Sequence, residues 1–122
     1  MTGASDGIGL AYCNEFASLG FNVVMIARTK DKLEKAAANL AKQYGVETKA
    51  IAADFSLCTQ NPETFFGNIT SQLESLPVSI LVNNVGFGAV PKRFINETTE
   101  NICTMNSLNL WPILYLSHFV VN

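Results

Sequence analysis

The segment Thr2-Gly3-Ala4-Ser5-Asp6-Gly7-Ile8-Gly9 constrains this chain more than any other. Its glycines are spaced GxxxGxG, and a helical pattern starts inside it: Ile8, Ala11, Tyr12, Phe16 and Leu19 recur at helical spacing until Gly20 stops the run. A glycine turn that opens a helix lets backbone approach a ligand closely. The helix N-terminus then presents unpaired N–H groups and a positive dipole end to it. That arrangement suits a pyrophosphate. The spacing is not the GxGxxG of the dinucleotide fingerprint, but the mechanics are the same.

The residues after Gly20 agree with such a turn. Residues 21–27 (FNVVMIA) are an almost continuous apolar run, as expected of a strand covered on both faces. Thr29 is placed to cap a helix carrying Leu33, Ala36, Ala37, Leu40, Ala41 and Tyr44, which Gly45 closes. Residues 46–53 read as a further strand. Asn61 and Pro62 form an N-cap and N1 pair for a helix bearing Phe65, Phe66, Ile69, Leu73 and Leu76. Residues 78–82 (VSILV) predict a short buried strand ending in Asn83-Asn84-Val85-Gly86. From about Thr99 a long helix is expected, kinked at Pro112. Strands alternating with helices predict an α/β fold, a Rossmann-like doubly wound parallel sheet, with residues 1–122 as half of a single domain.

Composition narrows the function classes. With 48% apolar residues and a formal charge of −2, the chain is neither a disordered tail nor equipped with the basic face that nucleic acid requires. Cys13, Cys58 and Cys103 are scattered, which predicts reduced, mostly buried thiols. With His118 as the single histidine, no metal site is expected. Residues 2–9 lack the pattern of a signal peptide. Residues 101–122 carry no formal charge, but Asn101, Asn106, Asn109, Pro112, His118 and Asn122 favour a buried or interface helix over a membrane span.

The end of the strand at 21–27 selects the cofactor. An acidic residue there binds the ribose hydroxyl of NAD, whereas arginine accommodates the 2′-phosphate of NADP. Here Arg28 follows Met25-Ile26-Ala27, and no acid occurs before Asp31. A guanidinium grips phosphate with two parallel bonds, so the expected cofactor is NADP(H). Lys30, Lys32 and Lys35 lie nearby and could add to a phosphate field, but read rather as the solvated face of their helix.

TGASDGIG, Asp54 after the third strand and NNVG after the fourth resemble the short-chain dehydrogenase/reductase family across essentially the whole chain. Within it, TGASDGIG, GFNVV, ART-x-x-KL, VETK, ADFS and LPVSILVNNVG are similar to the branch of very-long-chain 3-oxoacyl-CoA reductases and 17β-hydroxysteroid dehydrogenases. The resemblance implies that Gly3, Ser5, Asp6, Gly7, Ile8 and Gly9 form the phosphate loop and that Arg28 meets the 2′-phosphate. It implies that Asp54 reaches the adenine edge, while Asn83 and Asn84 shape the sheet beside the cofactor. It also implies a catalytic asparagine supporting a proton relay; Asn109 and Asn106 are the candidates, with Asn109 preferred. The branch is associated with the endoplasmic reticulum membrane, and its last helices suggest a possible homodimer.

The family's catalysis also needs a serine and a YxxxK pair. Tyrosines occur here at positions 12, 44 and 115, followed four residues later by Phe16, Thr48 and Phe119, and no lysine follows Lys92. A first strand should precede the glycine turn, yet only Met1 stands before Thr2. The chain therefore reads as the cofactor half of an NADPH-dependent reductase, a fragment whose complete protein reduces a 3-oxoacyl-CoA or a ketosteroid. The alternative is a non-catalytic NADP-binding or partner-binding short chain. Without the first strand, residues 21–27 and 78–82 are expected to flank a gap with unpaired backbone groups.

Overall fold

The computed structural model describes residues 1–88 and 90–122. In chain order they form helix α1 (Gly7–Ser18), strand β1 (Val23–Ala27), helix α2 (Lys30–Tyr44) and strand β2 (Thr48–Ala52). A 3-10 turn (Phe55–Leu57), α3 (Pro62–Thr70), a second 3-10 turn (Phe94–Asn96), α4 (Thr99–Asn109) and α5 (Trp111–Val121) complete the order. Two compact units result. The first comprises Met1–Asp54 with Val82–Val85, the second Phe55–Leu81 with Gly86–Asn122.

In the first unit β1 and β2 pair in parallel, with Met25 opposite Ala50 and Ala27 opposite Ala52. Helix α2 is the crossover between them, as parallel pairing requires. Alternate residues Val23, Met25 and Ala27 point to one side, where they pack with Cys13 and Ala17 of α1 and Leu33, Ala37 and Leu40 of α2. Met25 and Leu33 are fully buried, each contributing about 2 kcal/mol from lost apolar surface. Helix α2 buries the face its spacing predicts. Thr29 holds the N-cap position but makes no side-chain capping bond.

Helix α1 turns a different face inward from the one expected. Gly9, Cys13 and Ala17 are buried, whereas Ile8, Tyr12 and Leu19 are exposed by 48–70%. The reason is distance: small residues at every fourth position let the helix approach the sheet closely, and the bulky ones are left outside. Cys13 is buried, as expected, and burial pushes its thiol pKa up.

The expected gap beside β1 is closed at one end. Met1 and Thr2 lie parallel to β1: the Ile26 amide donates to Met1 O at 2.9 Å, and the Ala4 amide donates to Ile26 O at 3.2 Å. On its other side the Thr2 amide donates to Val82 O at 3.1 Å. The strand predicted at residues 78–82 does not form, and Ile80 is 47% exposed. A strand is held by ladder bonds along its length, and Thr2 offers this segment a single backbone rung. A polypeptide of these 122 residues is therefore expected to aggregate or to melt without a sharp transition. Circular dichroism during heating checks this, and one steep transition above about 50 °C would overturn it.

In the second unit Asn61 caps α3, its side chain accepting from the Thr64 amide at 3.3 Å, with Pro62 in the first turn. The helix ends at Thr70, short of the predicted length. The chain then tightens into turns, with the Gln72 and Leu73 amides bonded three residues back to Ile69 and Thr70. Phe66 and Ile69 are buried in α3, and Leu73 is buried in the turns. Phe66 stacks on Tyr115 at 4.3 Å between ring centroids, and Tyr115 stacks on Trp111 at 5.6 Å.

The single kinked helix predicted from Thr99 is two helices broken at Leu110. Pro112 lacks an amide proton and its ring crowds the preceding turn, so the break falls just before it. Neither helix exceeds 11 residues, and no helix among the described residues is long and apolar enough to cross a membrane. Cys58 is buried and Cys103 exposed, so with Cys13 two of the three thiols are buried, in keeping with mostly buried thiols.

Candidate functional site

The first unit gathers most of the predicted site residues at the carboxyl ends of its strands. There the Gly3–Gly9 turn leads into α1, Arg28 follows β1, Asp54 follows β2, and Asn83-Asn84-Val85 lies beside the turn. In open parallel sheets this edge is where ligands bind.

The glycines divide the labour. Gly3 and Gly7 adopt φ of +63° and +50°, a left-handed conformation that costs other residues energy. A Cβ on Gly9 would lie 2.1 Å from Gly3 O, so this glycine permits the turn to close against α1. A Cβ on Gly7 would meet nothing within 4 Å. Gly7 therefore presents bare backbone to open space, and its neighbours Asp6 and Ile8 are exposed. Ile8 sits exposed in the first turn of α1 rather than in the core. The Ile8 and Gly9 amides fall in the first turn, where the intrahelical ladder supplies no acceptor.

Asn84 fastens the turn. Its Nδ2 donates to Thr2 O at 3.0 Å and Gly3 O at 3.3 Å. In return the Thr2 hydroxyl oxygen accepts from the Asn84 amide at 2.9 Å and the Val85 amide at 3.0 Å. Thr2 is fully buried, and its hydroxyl also lies 3.4 Å from Val82 O, to which it donates. Asn83 is half-buried beside this latch. Sequence reasoning gave Thr2 no role beyond its place in the turn segment, because its side-chain partners stand 80 or more residues away.

Charge is distributed unevenly along the edge. Arg28 is exposed, directly after β1, and Asp54 is half-buried. Asp6 caps α1, its Oδ1 accepting from the Gly7 amide at 2.8 Å, and its Oδ2 forms an ion pair with Lys32 Nζ. The Lys32 ammonium first, and the Gly7 amide second, hold the Asp6 carboxyl below the usual carboxylate range. Lys30 pairs with Glu34 one turn along α2. Ser5, in the middle of the turn, is half-buried.

Asn109 belongs to the second unit. Its Oδ1 accepts from the Phe87 amide at 2.8 Å, and its Nδ2 donates to Phe87 O at 2.9 Å. The carboxamide thus fixes the loop after Gly86 by both of its backbone groups. Asn106, the other candidate, is exposed, and its carbonyl accepts from the Leu110 amide. Tyr115 is a packing residue, as its stack on Phe66 requires. His118 is exposed and bonded to Asn122 rather than packed.

With this geometry in place, the family model of the short chain dehydrogenases matches residues 1–122. The chain belongs to that family, and the sheet and glycine turn are its Rossmann-like fold. The very-long-chain 3-oxoacyl-CoA reductase of Anas platyrhynchos is 39% identical over 99% of this chain and 38% of its own length. The reductase of that name from Scheffersomyces stipitis is 41% identical over 87% of this chain and 31% of its own. A short-chain dehydrogenase from Sphingobium yanoikuyae, solved in complex with NADPH, superposes with a TM-score of 0.85 at 34% identity, covering 98% of this chain and 45% of that one. The chain thus spans less than two-fifths of the length of these two reductases.

Proposed function

We propose that this chain is the NADP(H)-binding part of an NADPH-dependent reductase that, as a whole protein, reduces the carbonyl of a 3-oxoacyl-CoA. The observation that carries the reading is one edge holding two features together. One is bare backbone at Gly7, the first residue of α1; the other is Arg28, with no acid, at the end of β1. The turn fits a pyrophosphate, and the guanidinium fits a 2′-phosphate.

The nicotinamide, when bound, supplies the hydride. The residues of this chain bind and orient. Gly3, Ser5, Asp6, Gly7, Ile8 and Gly9 shape the phosphate turn, with Asn84 and Thr2 holding it closed. Asp54 lies at the end of β2, where it would reach the adenine edge, and Asn83 lies next to Asn84 on the far side of Thr2. Asn109 keeps the loop at Phe87 in place, a positioning part in the proton relay. None of Tyr12, Tyr44 and Tyr115 is followed four residues later by lysine, so this reading assigns the proton donor to the remainder of a longer protein. Exposed Leu110, Ile113, Leu114 and Val121 at the last two helices support self-association of that protein. The reductase relatives support an endoplasmic reticulum membrane location for that longer protein.

The relatives' names favour an acyl-CoA over a ketosteroid as substrate. The test is NADPH oxidation by the protein at its native length, with 3-oxoacyl-CoA and with a ketosteroid. Turnover of the first supports the reading; binding of NADPH with turnover of neither leaves a non-catalytic cofactor-binding chain in its place. Arg28→Leu is expected to lower the preference for NADPH over NADH about 10- to 100-fold, measured by nucleotide titration. An unchanged preference would remove Arg28 from the site.

A further inference from the structure

We infer that the Asp6–Lys32 ion pair sets the strength of 2′-phosphate recognition, with Lys32 neutralising a carboxylate that otherwise opposes the cofactor. This deepens, and rests on, the reading of the first unit as an NADP(H) site. Asp6 is the residue that caps α1, so its carboxylate stands at the mouth of the turn that takes the pyrophosphate. Lys32 stands four residues beyond Arg28, in the first turn of α2. The pair therefore spans the two loops between which the cofactor's adenosine ribose would lie, and both of its members belong to the same compact unit.

A bare carboxylate at that place is a liability for a ligand carrying several negative charges. It occupies the Gly7 amide, a donor that would otherwise face the ligand, and it repels phosphate. Its side chain is 76% exposed and that of Lys32 52%, so the pair contributes little to stability. Its consequence lies in the local field. With the ammonium in direct contact at 2.5 Å, the mouth of the turn is close to neutral and the charge of Arg28 acts on the phosphate unopposed. Without it, one negative charge faces the same phosphate.

The expected behaviour differs from that of a structural staple. Lys32→Met should weaken NADPH binding roughly three- to tenfold, and NADH binding less, because NADH lacks the 2′-phosphate. The loss should shrink as salt is raised. Asp6→Asn keeps the cap at Gly7 and removes the charge, so it should raise the NADPH-to-NADH preference. The double variant Asp6→Asn/Lys32→Met should regain most of what Lys32→Met loses, and Lys32→Arg should bind as the unaltered protein does. These constants are read by titrating NADPH and NADH into the protein at its native length, at low and high salt.

Equal losses in Lys32→Met and in the double variant would mean that the pair only holds the two loops together, and would overturn the inference. So would a Lys32→Met variant that binds NADPH unchanged. Should Lys32→Met fail to fold, Asp6→Asn decides: a fall in NADPH preference overturns the inference. No NADPH binding by the unaltered protein overturns the cofactor reading, and this inference with it; binding without the charge pattern overturns this inference alone.

Discussion

Gly9→Ala is expected to abolish NADP(H) binding and to destabilise the first unit by about 3 kcal/mol or more. The added Cβ would stand 2.1 Å from Gly3 O and 2.8 Å from Gly3 C. Both contacts are backbone, so no rotamer change relieves them; the turn must open or α1 must lift from the sheet. Asn84 Nδ2, at 2.6 Å from the same Cβ, would be pushed from the carbonyls it bonds. Gly7→Ala is the informative control. Its Cβ meets no protein atom, so folding bears only the cost of a left-handed residue, about 1 kcal/mol, while the methyl stands where the phosphate would approach. Nucleotide titration and chemical unfolding of both variants separate the two effects. Binding by Gly9→Ala within about twofold of the parent would refute the close-approach argument.

Thr2→Val is the second large effect, expected to cost about 2–5 kcal/mol although the two side chains have nearly the same shape. The hydroxyl is fully buried and accepts from the Asn84 and Val85 amides. Valine fills the space and leaves both donors unsatisfied, at about 1–3 kcal/mol each. Thr2→Ser keeps the oxygen and loses only a methyl group, at about 1 kcal/mol. Amide exchange at Asn84 and Val85 reports the difference directly, with at least roughly tenfold faster exchange expected in the valine variant. Identical exchange in the serine and valine variants would show that the hydroxyl holds nothing.

Which of these features could be read from sequence depends on the range of the interaction behind each. Helix α2, its closing Gly45 and the Asn61 cap rest on contacts within a few residues, and their patterns were legible. Strand β1 was legible because an almost continuous apolar run between a glycine and an arginine leaves few alternatives. The glycine turn was legible as a turn of close backbone approach, and Arg28 as an exposed cation at the strand end, since each follows from its own residue type. The inward face of α1 was not: Ile8, Tyr12 and Leu19 outweigh Cys13 and Ala17 in apolar surface, and only the approach of Gly9 to Gly3 decides which side turns in. The segment at residues 78–82 has strand composition, but a strand exists only with neighbours, which composition does not supply. The Thr2–Asn84 latch and the Asp6–Lys32 pair join residues 82 and 26 positions apart, beyond any local pattern. The break at Leu110 was half legible, since Pro112 announces a disturbance but not whether the helix bends or stops.

The aromatic stack of the second unit has a spectroscopic consequence. Trp111 is the only tryptophan of the chain, and it lies against Tyr115, which in turn covers Phe66. Selectively excited indole emission therefore originates wholly in the second unit, while the glycine turn, Arg28 and the latch all belong to the first. A dye-free optical signal thus watches one unit while the nucleotide proposed to bind the other is titrated. Loss of the Trp111 stack on heating or in denaturant can be timed separately from the loss of cofactor binding.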